Sequence, residues 1–346
     1  MRKAVGDFAD RFFFEKKKIA IFARFINFNT KQSMKMKSIL CTLLLLCMAL
    51  PISAKPKKSD NSTPKTVRFM DFNIADGMWK DQFNNYDDFV AWMKSQKVDI
   101  FAVCEAASHW NENKKSLPKN EEARYLPYHW DELAARWGHN YTALGAYQDN
   151  YPVAITSRFP IEVVQRLGGK QLSHGALHAK IMGVNYVVIH LWPQAYRKGD
   201  KTKTKGNGGN EFRLSEINYI MDQTIRNPKY ANEEHWVMAG DFNSWSPKDS
   251  AFHDEIHGSN RKKRNKGVHN AVLNVYPHDV ISDKNPYEYQ ASTRRGRSRI
   301  DFIYCTEKLY STVKRAYTVT DDFVHRTSDH RPLVMIMKQP KKNGKK

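Results

Sequence analysis

The feature that most limits how this chain can fold is a short apolar run at residues 236–239, which stops at Gly240 and is followed by Asp241 and Asn243. An apolar run of this length that ends at a glycine predicts a buried strand. If the chain stays extended through Phe242, Asp241 and Asn243 point to the same side, because side chains alternate along a strand. The alternative is an Asx-rich turn after a core strand. In both cases a carboxylate and a carboxamide stand at the end of a buried strand.

Three further predicted strands end in polar groups of the same kind, at Asn73, Glu105 and His190. A carboxylate that closes a buried strand is costly unless a cation or a hydrogen-bond donor meets it. A single histidine after an apolar run is more often a core or loop residue. His190 is therefore a candidate site residue only because the other polar strand ends accompany it. Apolar residues at three- and four-residue steps from 83 to 93 predict a helix over the first two strands, as in open α/β sheets that build sites at strand ends.

The C-terminal part adds two more acidic residues and a histidine. Asp301 lies in the apolar run 300–305, and Asp329 and His330 directly precede a closing strand. An adjacent Asp–His pair supplies a metal ligand or a base beside an imidazole. Residues 294–299 hold four arginines that lead into Asp301, so we expect this loop to overhang the site. Arg299 is two residues before Asp301 and is predicted to share its face and to reach a substrate phosphate.

The N-terminal 54 residues are predicted to lie outside the folded domain. Residues 34–38 are basic, an apolar core follows to residue 50, and Ala54 offers a cleavage point, which is the layout of a secretory signal peptide. Residues 1–33 are interpreted as a mis-called start, with a cytoplasmic extension before an uncleaved anchor as the alternative. Residues 55–66 then form a linker, residues 67–338 the domain and residues 339–346 a basic tail. The protein is therefore expected to be exported, to the periplasm or outside the cell.

The charge balance favours a polyanionic partner. After Ala54 the chain keeps 46 Lys or Arg and 33 Asp or Glu, a net charge of +13. Such an excess favours nucleic acid first and anionic lipid head groups second. The basic runs 261–266 and 341–346 are interpreted as solvated surface. Cys104 and Cys305 lie in apolar runs and are predicted to be buried thiols, with a single disulfide as the alternative. No obligate protein partner is predicted, and we expect a monomer.

The collected strand-end groups are suited to hydrolysis of a phosphate ester. They are Asn73, Glu105, His190, Asp241, Asn243, Asp301, Asp329 and His330. Hard oxygen ligands predominate, which favours Mg²⁺ or Mn²⁺ over zinc. A divalent ion draws charge from phosphoryl oxygens, a base activates water, and cationic groups hold the substrate.

The order of these motifs resembles the endonuclease/exonuclease/phosphatase superfamily, the deoxyribonuclease-I-like phosphoesterases. The residues that carry the resemblance are Asn73, Glu105, the 157–161 stretch, His190, the 240–243 stretch, the 299–303 stretch and the 328–330 stretch. Each motif is short, but together they extend over about residues 67–338. The resemblance implies an α/β fold with a four-layer α/β/β/α sandwich of two mixed sheets, and a site at the mouths of the sheets.

The resemblance also implies a role for each residue. Asn73, Glu105 and Asp329 look like metal-site residues, with Glu105 as the direct ligand. Asp241 and Asn243 look like the pair that orients or deprotonates the attacking water. His330, paired with Asp301, looks like the imidazole that contacts the scissile phosphate or acts as base. His190 looks like a general acid for the leaving oxygen. Contacts to the substrate are predicted for Arg158, Arg299, Trp192 and Tyr196.

Two departures from the family pattern leave the branch of the family open. Ala75 stands where the abasic-endonuclease branch often has an additional aspartate, and residues 192–196 do not match the deoxyribonuclease pattern. The favoured prediction is an exported, metal-dependent endonuclease or exonuclease. The alternatives are a sphingomyelinase-like phospholipid phosphodiesterase, a small-molecule phosphatase and, outside enzymes, a catalytically inactive protein that binds nucleic acid.

Overall fold

Two mixed six-stranded sheets form the framework of the computed structural model, which describes residues 65–107, 129–203, 208–257, 266–293 and 298–340. The predicted signal peptide, most of the linker, the runs 261–265 and 341–346, and Arg294, Arg295 and Arg297 lie outside the described residues. The first sheet contains, in spatial order, β11 (Val313–Thr318), β12 (Leu333–Lys338), β1 (Thr66–Asn73), β2 (Ile100–Cys104), β4 (Ala154–Ser157) and β3 (Tyr141–Leu144).

The second sheet contains, in spatial order, β5 (Glu162–Leu167), β6 (Ala176–Ile181), β7 (Val184–His190), β8 (Trp236–Asp241), β10 (Asp301–Cys305) and β9 (His278–Asp279). Each sheet has one parallel pair near its centre, β1 with β2 and β7 with β8, and its other pairs are antiparallel. Strands β6 and β7 form a hairpin that turns near Gly183.

Helices connect the strands of both sheets. They are α1 (Ala75–Met78), α2 (Asp87–Gln96), α3 (Trp130–Ala135), α4 (Gly208–Gln223), α5 (Ser250–His257), α6 (Gly267–Leu273), α7 (Val280–Lys284), α8 (Glu307–Tyr310) and α9 (Asp322–Thr327). Helices α2, α3 and α9 pack on the outer face of the first sheet, and α4 and α6 pack on the outer face of the second. Helices α7 and α8 instead pack against the central core, through Val280, Ile281 and Leu309. The two sheets with helices on both outer faces form the four-layer sandwich that the resemblance implied.

The central core lies between the inner faces of the two sheets. Phe69 of β1 and Ala102 of β2 meet Tyr186, Val188 and Ala239 of the second sheet there. Because side chains alternate along a strand, the residues two positions further on point into the same space. Asp71, His190 and Asp241 stand two positions after Phe69, Val188 and Ala239, at the end of the sandwich where the site described below is built.

Cys104 and Cys305 are both buried free thiols, so the default prediction is confirmed and the disulfide alternative is not. Among the described residues, no helix combines the length and the apolar character that crossing a bilayer requires.

Candidate active site

Strand register brings the predicted groups together at one end of the sandwich. His190, Asp241 and Asp301 are direct cross-strand partners on three neighbouring strands of the second sheet. In the first sheet, Asn73 pairs with Cys104, and Glu105 follows immediately. All five side chains therefore stand at the same edge, and Asn73, His190, Asp241 and Asp301 are buried.

Asn73 links the two sheets through its side-chain amide. Its Nδ2 donates hydrogen bonds to Glu105 Oε1 at 3.0 Å and to Asp241 Oδ2 at 3.2 Å. Its Oδ1 accepts from the backbone N–H of Ala75 at 3.1 Å. An amide can act in this way because it carries donors and an acceptor together, which a carboxylate cannot do when ionised.

The backbone around Glu105 adopts conformations that non-glycine residues rarely take. Glu105 itself has φ +59°, and Ala75, Asp76 and Met78 in the facing turn have φ values of +50° to +56°. The backbone N–H of Asp76 donates to Glu105 Oε2 at 2.8 Å, and that of Gly77 donates to the carbonyl oxygen of Glu105 at 2.8 Å. Each such conformation costs about 1 kcal/mol or more, so this geometry has to be maintained by the contacts around it.

Asp241 and Asn243 are joined by a turn. Strand β8 ends at Asp241 and Asn243 has φ +48°, so the extended chain on which a shared strand face depended is not present. The alternative is confirmed: Asp241 Oδ1 accepts the backbone N–H of Asn243 at 2.8 Å, as in an Asx turn. Asn243 Nδ2 then donates to the carbonyl oxygen of Leu191 at 3.0 Å.

His330 and Asp301 form a buried pair. His330 Nδ1 lies 2.8 Å from Asp301 Oδ2, and since a carboxylate cannot donate, the imidazole is the donor. Ser328 fixes this pair to the first sheet, because its hydroxyl donates to the carbonyl oxygen of Asn73 at 2.8 Å and accepts the backbone N–H of His330 at 3.0 Å.

Two imidazoles flank the same oxygen of Asp241. His330 Nε2 lies 3.7 Å from Asp241 Oδ2, and His190 Nε2 lies 3.8 Å from it. Burial and the neighbouring Asp301 charge raise the pKa of Asp241 to about 8. Burial opposes protonation of His330, but the carboxylates of Asp301 and Asp241 outweigh it, so the pKa of His330 lies well above its ordinary value. Burial, followed by the positive charges of His174 and His330, lowers the pKa of His190 well below its ordinary value.

The aromatic residues predicted to contact substrate follow His190 on the same loop. Trp192 and Tyr196 are both half-buried. The indole N–H of Trp192 donates to the carbonyl oxygen of Tyr196 at 2.6 Å, and the two rings meet edge to face at 5.9 Å. They are therefore placed beside the site, and their contact with substrate stays a prediction.

The prediction that Arg299 contacts the substrate is wrong. Its guanidinium is 1% exposed and donates two hydrogen bonds to Asp249 and two to Asp279, at 2.7 to 3.0 Å. Burial opposes the charge, but these two carboxylates outweigh it, so the pKa of Arg299 is raised further. The guanidinium is committed to a structural ion-pair cluster, which sequence spacing to Asp301 could not reveal.

The same prediction for Arg158 is also wrong. Its guanidinium donates to Asp99 at 2.7 Å, and its neighbour Ser157 pairs with Ile100 at the start of β2. Glu105 follows the other end of β2, roughly 17 Å from Ile100 at ~3.3 Å per residue. Arg158 therefore lies at the opposite end of the sheet from the site.

Several groups could hold a divalent metal ion. Ligand atoms of Asp241, Asp301 and His330 lie within 4.8 Å of one another. His330 Nδ1 is already bonded to Asp301, however, and a protonated imidazole cannot act as a ligand. Glu105 is the better candidate, because it is half-buried and each of its oxygens accepts one described hydrogen bond, which leaves lone pairs available. Asp329 is exposed beside His330, and its role at the metal stays a prediction.

Two buried groups near the site were missed in the sequence. Asp71 is 1% exposed, and burial and the charges of Asp301 and Asp241 raise its pKa well above the ordinary value. Its spacing of two residues from Asn73 was a usable signal, since strand alternation places both on the inner face. His174 stacks on His190 with 4.3 Å between ring centroids. It lies in a loop before β6, and no periodic pattern marked it.

Comparisons with known proteins identify the class. The fold is matched by the structure of an AP endonuclease from Archaeoglobus fulgidus, with a TM-score of 0.52, 18% identity, and 78% of this chain and 99% of that chain covered. The 3′-5′ exonuclease NExo from Neisseria meningitidis matches with a TM-score of 0.54, 15% identity, and 79% and 100% of the two chains covered. The 3′ phosphatase NExo from Neisseria bound to a product DNA hairpin gives a TM-score of 0.52, 14% identity, and 78% and 98% coverage.

A family model described as Endonuclease/Exonuclease/phosphatase family matches residues 72–330, which include every strand-end group described above. The chain belongs to this family and is a phosphoester hydrolase. Comparison with curated protein sequences gives no significant match.

Proposed function

We propose that the protein is an exported, divalent-metal-dependent phosphodiesterase that cleaves nucleic acid. The observation that supports this most strongly is the pair of imidazoles, His330 and His190, that face one oxygen of Asp241 beside the Asn73–Glu105 link. The proposal of export rests on the signal-like residues 34–54. The preference for nucleic acid rests on the net charge of +13 after Ala54 and on structural neighbours that are nucleic-acid enzymes by their titles.

The residues divide into distinct tasks. Asn73, Glu105 and Asp329 would hold Mg²⁺ or Mn²⁺, which supplies Lewis-acid polarisation of a phosphoryl oxygen. His330 is protonated near neutral pH because its pKa is raised, so it stabilises negative charge on the phosphate rather than accepting a proton. Asp241, whose pKa is raised to about 8, takes the proton of the attacking water in its ionised form, which predominates above pH 8. His190 stands at the same strand ends, and because burial lowers its pKa, its neutral imidazole would donate a hydrogen bond to the leaving oxygen rather than transfer a proton.

A second candidate, a sphingomyelinase-like phospholipid phosphodiesterase, is favoured by the loop after His190. Trp192 and Tyr196 are half-buried in that loop. Tyr147, which follows β3, is 47% exposed. Aromatic side chains with one polar end suit a membrane interface. Basic charge does not discriminate, because the electrostatic attraction to a polynucleotide and to an anionic bilayer has the same origin.

The test is a side-by-side assay of plasmid DNA, RNA, sphingomyelin and phosphoinositides, each with Mg²⁺ and with a chelator. We expect chelator-sensitive cleavage of nucleic acid, and the variants Glu105→Gln and His330→Ala should reduce kcat by about 10² to 10⁴. Glu162→Gln, an exposed glutamate on β5, is the matched control and should stay fully active. Turnover of lipid without nicking of DNA would favour the second candidate, and full activity of Glu105→Gln would exclude the mechanism.

A further inference from the structure

A second His–Asp pair lies directly behind His190. His174 Nδ1 is 2.6 Å from Asp149 Oδ2, so the imidazole donates to the carboxylate. The His174 ring stacks on His190 with 4.3 Å between centroids and a 26° tilt. The His174 ring also stacks on Trp192, with 6.4 Å between ring centroids, and Tyr151 contacts both imidazoles edge-on. The orientation of His190 is thus set by a continuous stack of rings.

An imidazole is a costly choice for this place. The His174 side chain is 5% exposed, and its Nε2 is buried and has no hydrogen-bond partner among the described residues. A buried polar atom without a partner costs roughly 1 to 3 kcal/mol. A phenylalanine ring would stack on His190 without that cost and without needing Asp149. The pair therefore does something for His190 that packing alone does not.

The loop that carries His174 is fixed from several directions. Glu216, buried on α4, accepts the backbone N–H and the hydroxyl of Ser173, each at 2.6 Å, and the backbone N–H of Trp192 at 2.9 Å. The Glu216 carboxylate therefore fixes both Ser173, which precedes His174, and Trp192, which stacks on His174. Gly175, at φ +80°, allows the close approach that follows, because a Cβ there would lie 2.6 Å from the carbonyl oxygen of Ala146.

We propose that His174, anchored by Asp149, is a positioning residue that holds His190 in the orientation from which its imidazole donates a hydrogen bond to the leaving oxygen. The inference rests on the proposed phosphodiesterase function. In that reaction the oxygen of water forms a bond to phosphorus and its proton goes to Asp241. The bond from phosphorus to the leaving oxygen breaks, a hydrogen bond from His190 stabilises the negative charge on that oxygen, and the oxygen takes its proton from solvent water. His174 acts through His190 and needs no contact with the substrate.

The test compares two short phosphodiesters that differ in the leaving group. Dithymidine monophosphate releases an alkoxide whose localised charge needs a hydrogen bond, whereas bis(p-nitrophenyl) phosphate releases a phenolate whose charge is already delocalised. We expect His174→Ala and Asp149→Asn to reduce kcat on the dinucleotide by about 10- to 100-fold with little change in KM, and to change kcat on the nitrophenyl ester less than about 3-fold. Asp149 is one-third exposed, so its replacement keeps the test available if His174→Ala fails to fold.

A double-substitution cycle separates positioning from independent action. Because His174 acts through His190, adding His174→Ala to His190→Ala should cause no further loss. The matched control is His278→Ala, which breaks another His–Asp pair, 2.9 Å from Asp283, beside the end of β10 that lies away from Asp301. Equal losses on both esters, a further loss in the double variant, or full activity of His174→Phe would each overturn the proposal.

A measurement without turnover keeps the inference separate from the proposed function. In imidazole ¹⁵N–¹H spectra, Asp149→Asn should shift the ring signals of His190, and His278→Ala should leave them unchanged. Unshifted His190 signals in Asp149→Asn would overturn the positioning role. If the wild-type protein cleaved neither ester, the phosphodiesterase proposal would fail and the leaving-group role with it, while the spectra would still decide whether His174 orients His190.

Discussion

Asp241 uses its two carboxylate oxygens for different purposes. Oδ1 accepts the backbone N–H of Asn243 and fixes the turn after the central strand. Oδ2 accepts from Asn73 and faces His190 and His330. Oδ1 therefore fixes the position of the carboxylate, while Oδ2 faces the two imidazoles. The carboxylate keeps its position when it gains or loses a proton, as a base in a preorganised site requires.

The turn after Asp241 rests on a buried histidine whose protonation should set the acid limit of stability. His269 Nε2 lies 2.9 Å from the Ser244 hydroxyl, and Nδ1 lies 2.7 Å from the Tyr304 hydroxyl. Burial lowers the pKa of His269 to about 3, against 6.5 in the unfolded chain. The stability due to neutral His269 is therefore complete above pH 6.5 and is lost as the pH falls toward 3, by about 1.4 kcal/mol per pH unit.

The measurement is urea unfolding of the wild type and of His269→Gln between pH 4 and pH 8. Glutamine can retain a hydrogen bond to Ser244 but does not titrate. We expect the wild type to be the more stable protein above pH 6.5 and the difference to shrink as the pH falls. Parallel stability curves for the two proteins would show that His269 does not contribute to the acid limit.

At the scale of elements, the pairing of β7 with β8 depends on a close backbone approach at Gly240. Gly240 has φ +139°, and a Cβ there would lie 1.9 Å from the carbonyl oxygen of Ile189. Gly240→Ala should therefore separate the strands that carry His190 and Asp241 and destabilise the fold by about 3 kcal/mol or more. Gly183, with φ +80° and nothing within 4 Å of a Cβ, is the matched control. Gly183→Ala should cost about 1 kcal/mol for the backbone conformation alone.

Thermal and urea unfolding of the two alanine variants compare these costs directly. If both lost the same stability, the left-handed backbone conformation would explain the whole effect, and the close approach of β7 and β8 would contribute nothing.

Arg299 ties the start of β10 to two other elements, so its loss should affect stability rather than substrate binding. Removal of the guanidinium leaves Asp249 and Asp279 buried without their partner, which costs about 3 to 5 kcal/mol. Arg158→Ala removes an ion pair in which the guanidinium side is exposed and should cost about 1 kcal/mol. Unfolding free energies and KM, measured at a temperature where Arg299→Ala is folded, check this. A raised KM with unchanged stability would restore the substrate role of Arg299.

The sequence predicted elements well where one period dominated. The strands that end at Asn73, Glu105 and Asp241 were located within one or two residues, because apolar runs that end in a polar group leave few alternatives. The roles of Arg299 and Arg158 were predicted wrongly for a common reason. The role of a charged side chain depends on the group that it binds, and Asp279 and Asp99 meet these arginines only in the folded structure. His174 was missed because its loop position carries no periodic signal.

At the scale of the whole molecule, the two sheets contribute different chemistry to one edge. The first sheet supplies the amide and carboxylate of Asn73 and Glu105, and the second supplies the carboxylates and His190. Hydrogen bonds of Asn73 and Ser328 connect these groups, so the site is complete only when the two sheets pack together. The order of motifs in the sequence predicted this convergence, but the distances between groups depend on how the sheets pack.

The basic excess should make action on long nucleic acid sensitive to salt. Arg294, Arg295 and Arg297 precede Asp301 by four to seven positions, and we predict that they bind phosphates of a long substrate. Each phosphate contact contributes about 0.9 to the slope of log K against log salt on duplex DNA, because bound counterions are released. Changing all three arginines to alanine should therefore weaken binding of plasmid DNA and lower the slope by about 2 to 3. Turnover of dithymidine monophosphate, which is too short to reach this loop, should change little.

The matched control removes the same charge from the tail, by changing Lys342, Lys345 and Lys346 to alanine. If only total charge mattered, both triple variants would lose the same slope, since long-range attraction depends on net charge. If the arginine loop makes specific phosphate contacts, the tail variant should retain nearly the whole slope. An equal loss of turnover on the short and the long substrate would place the three arginines in the structure of the site, and their role in binding a polyanion would have to be abandoned.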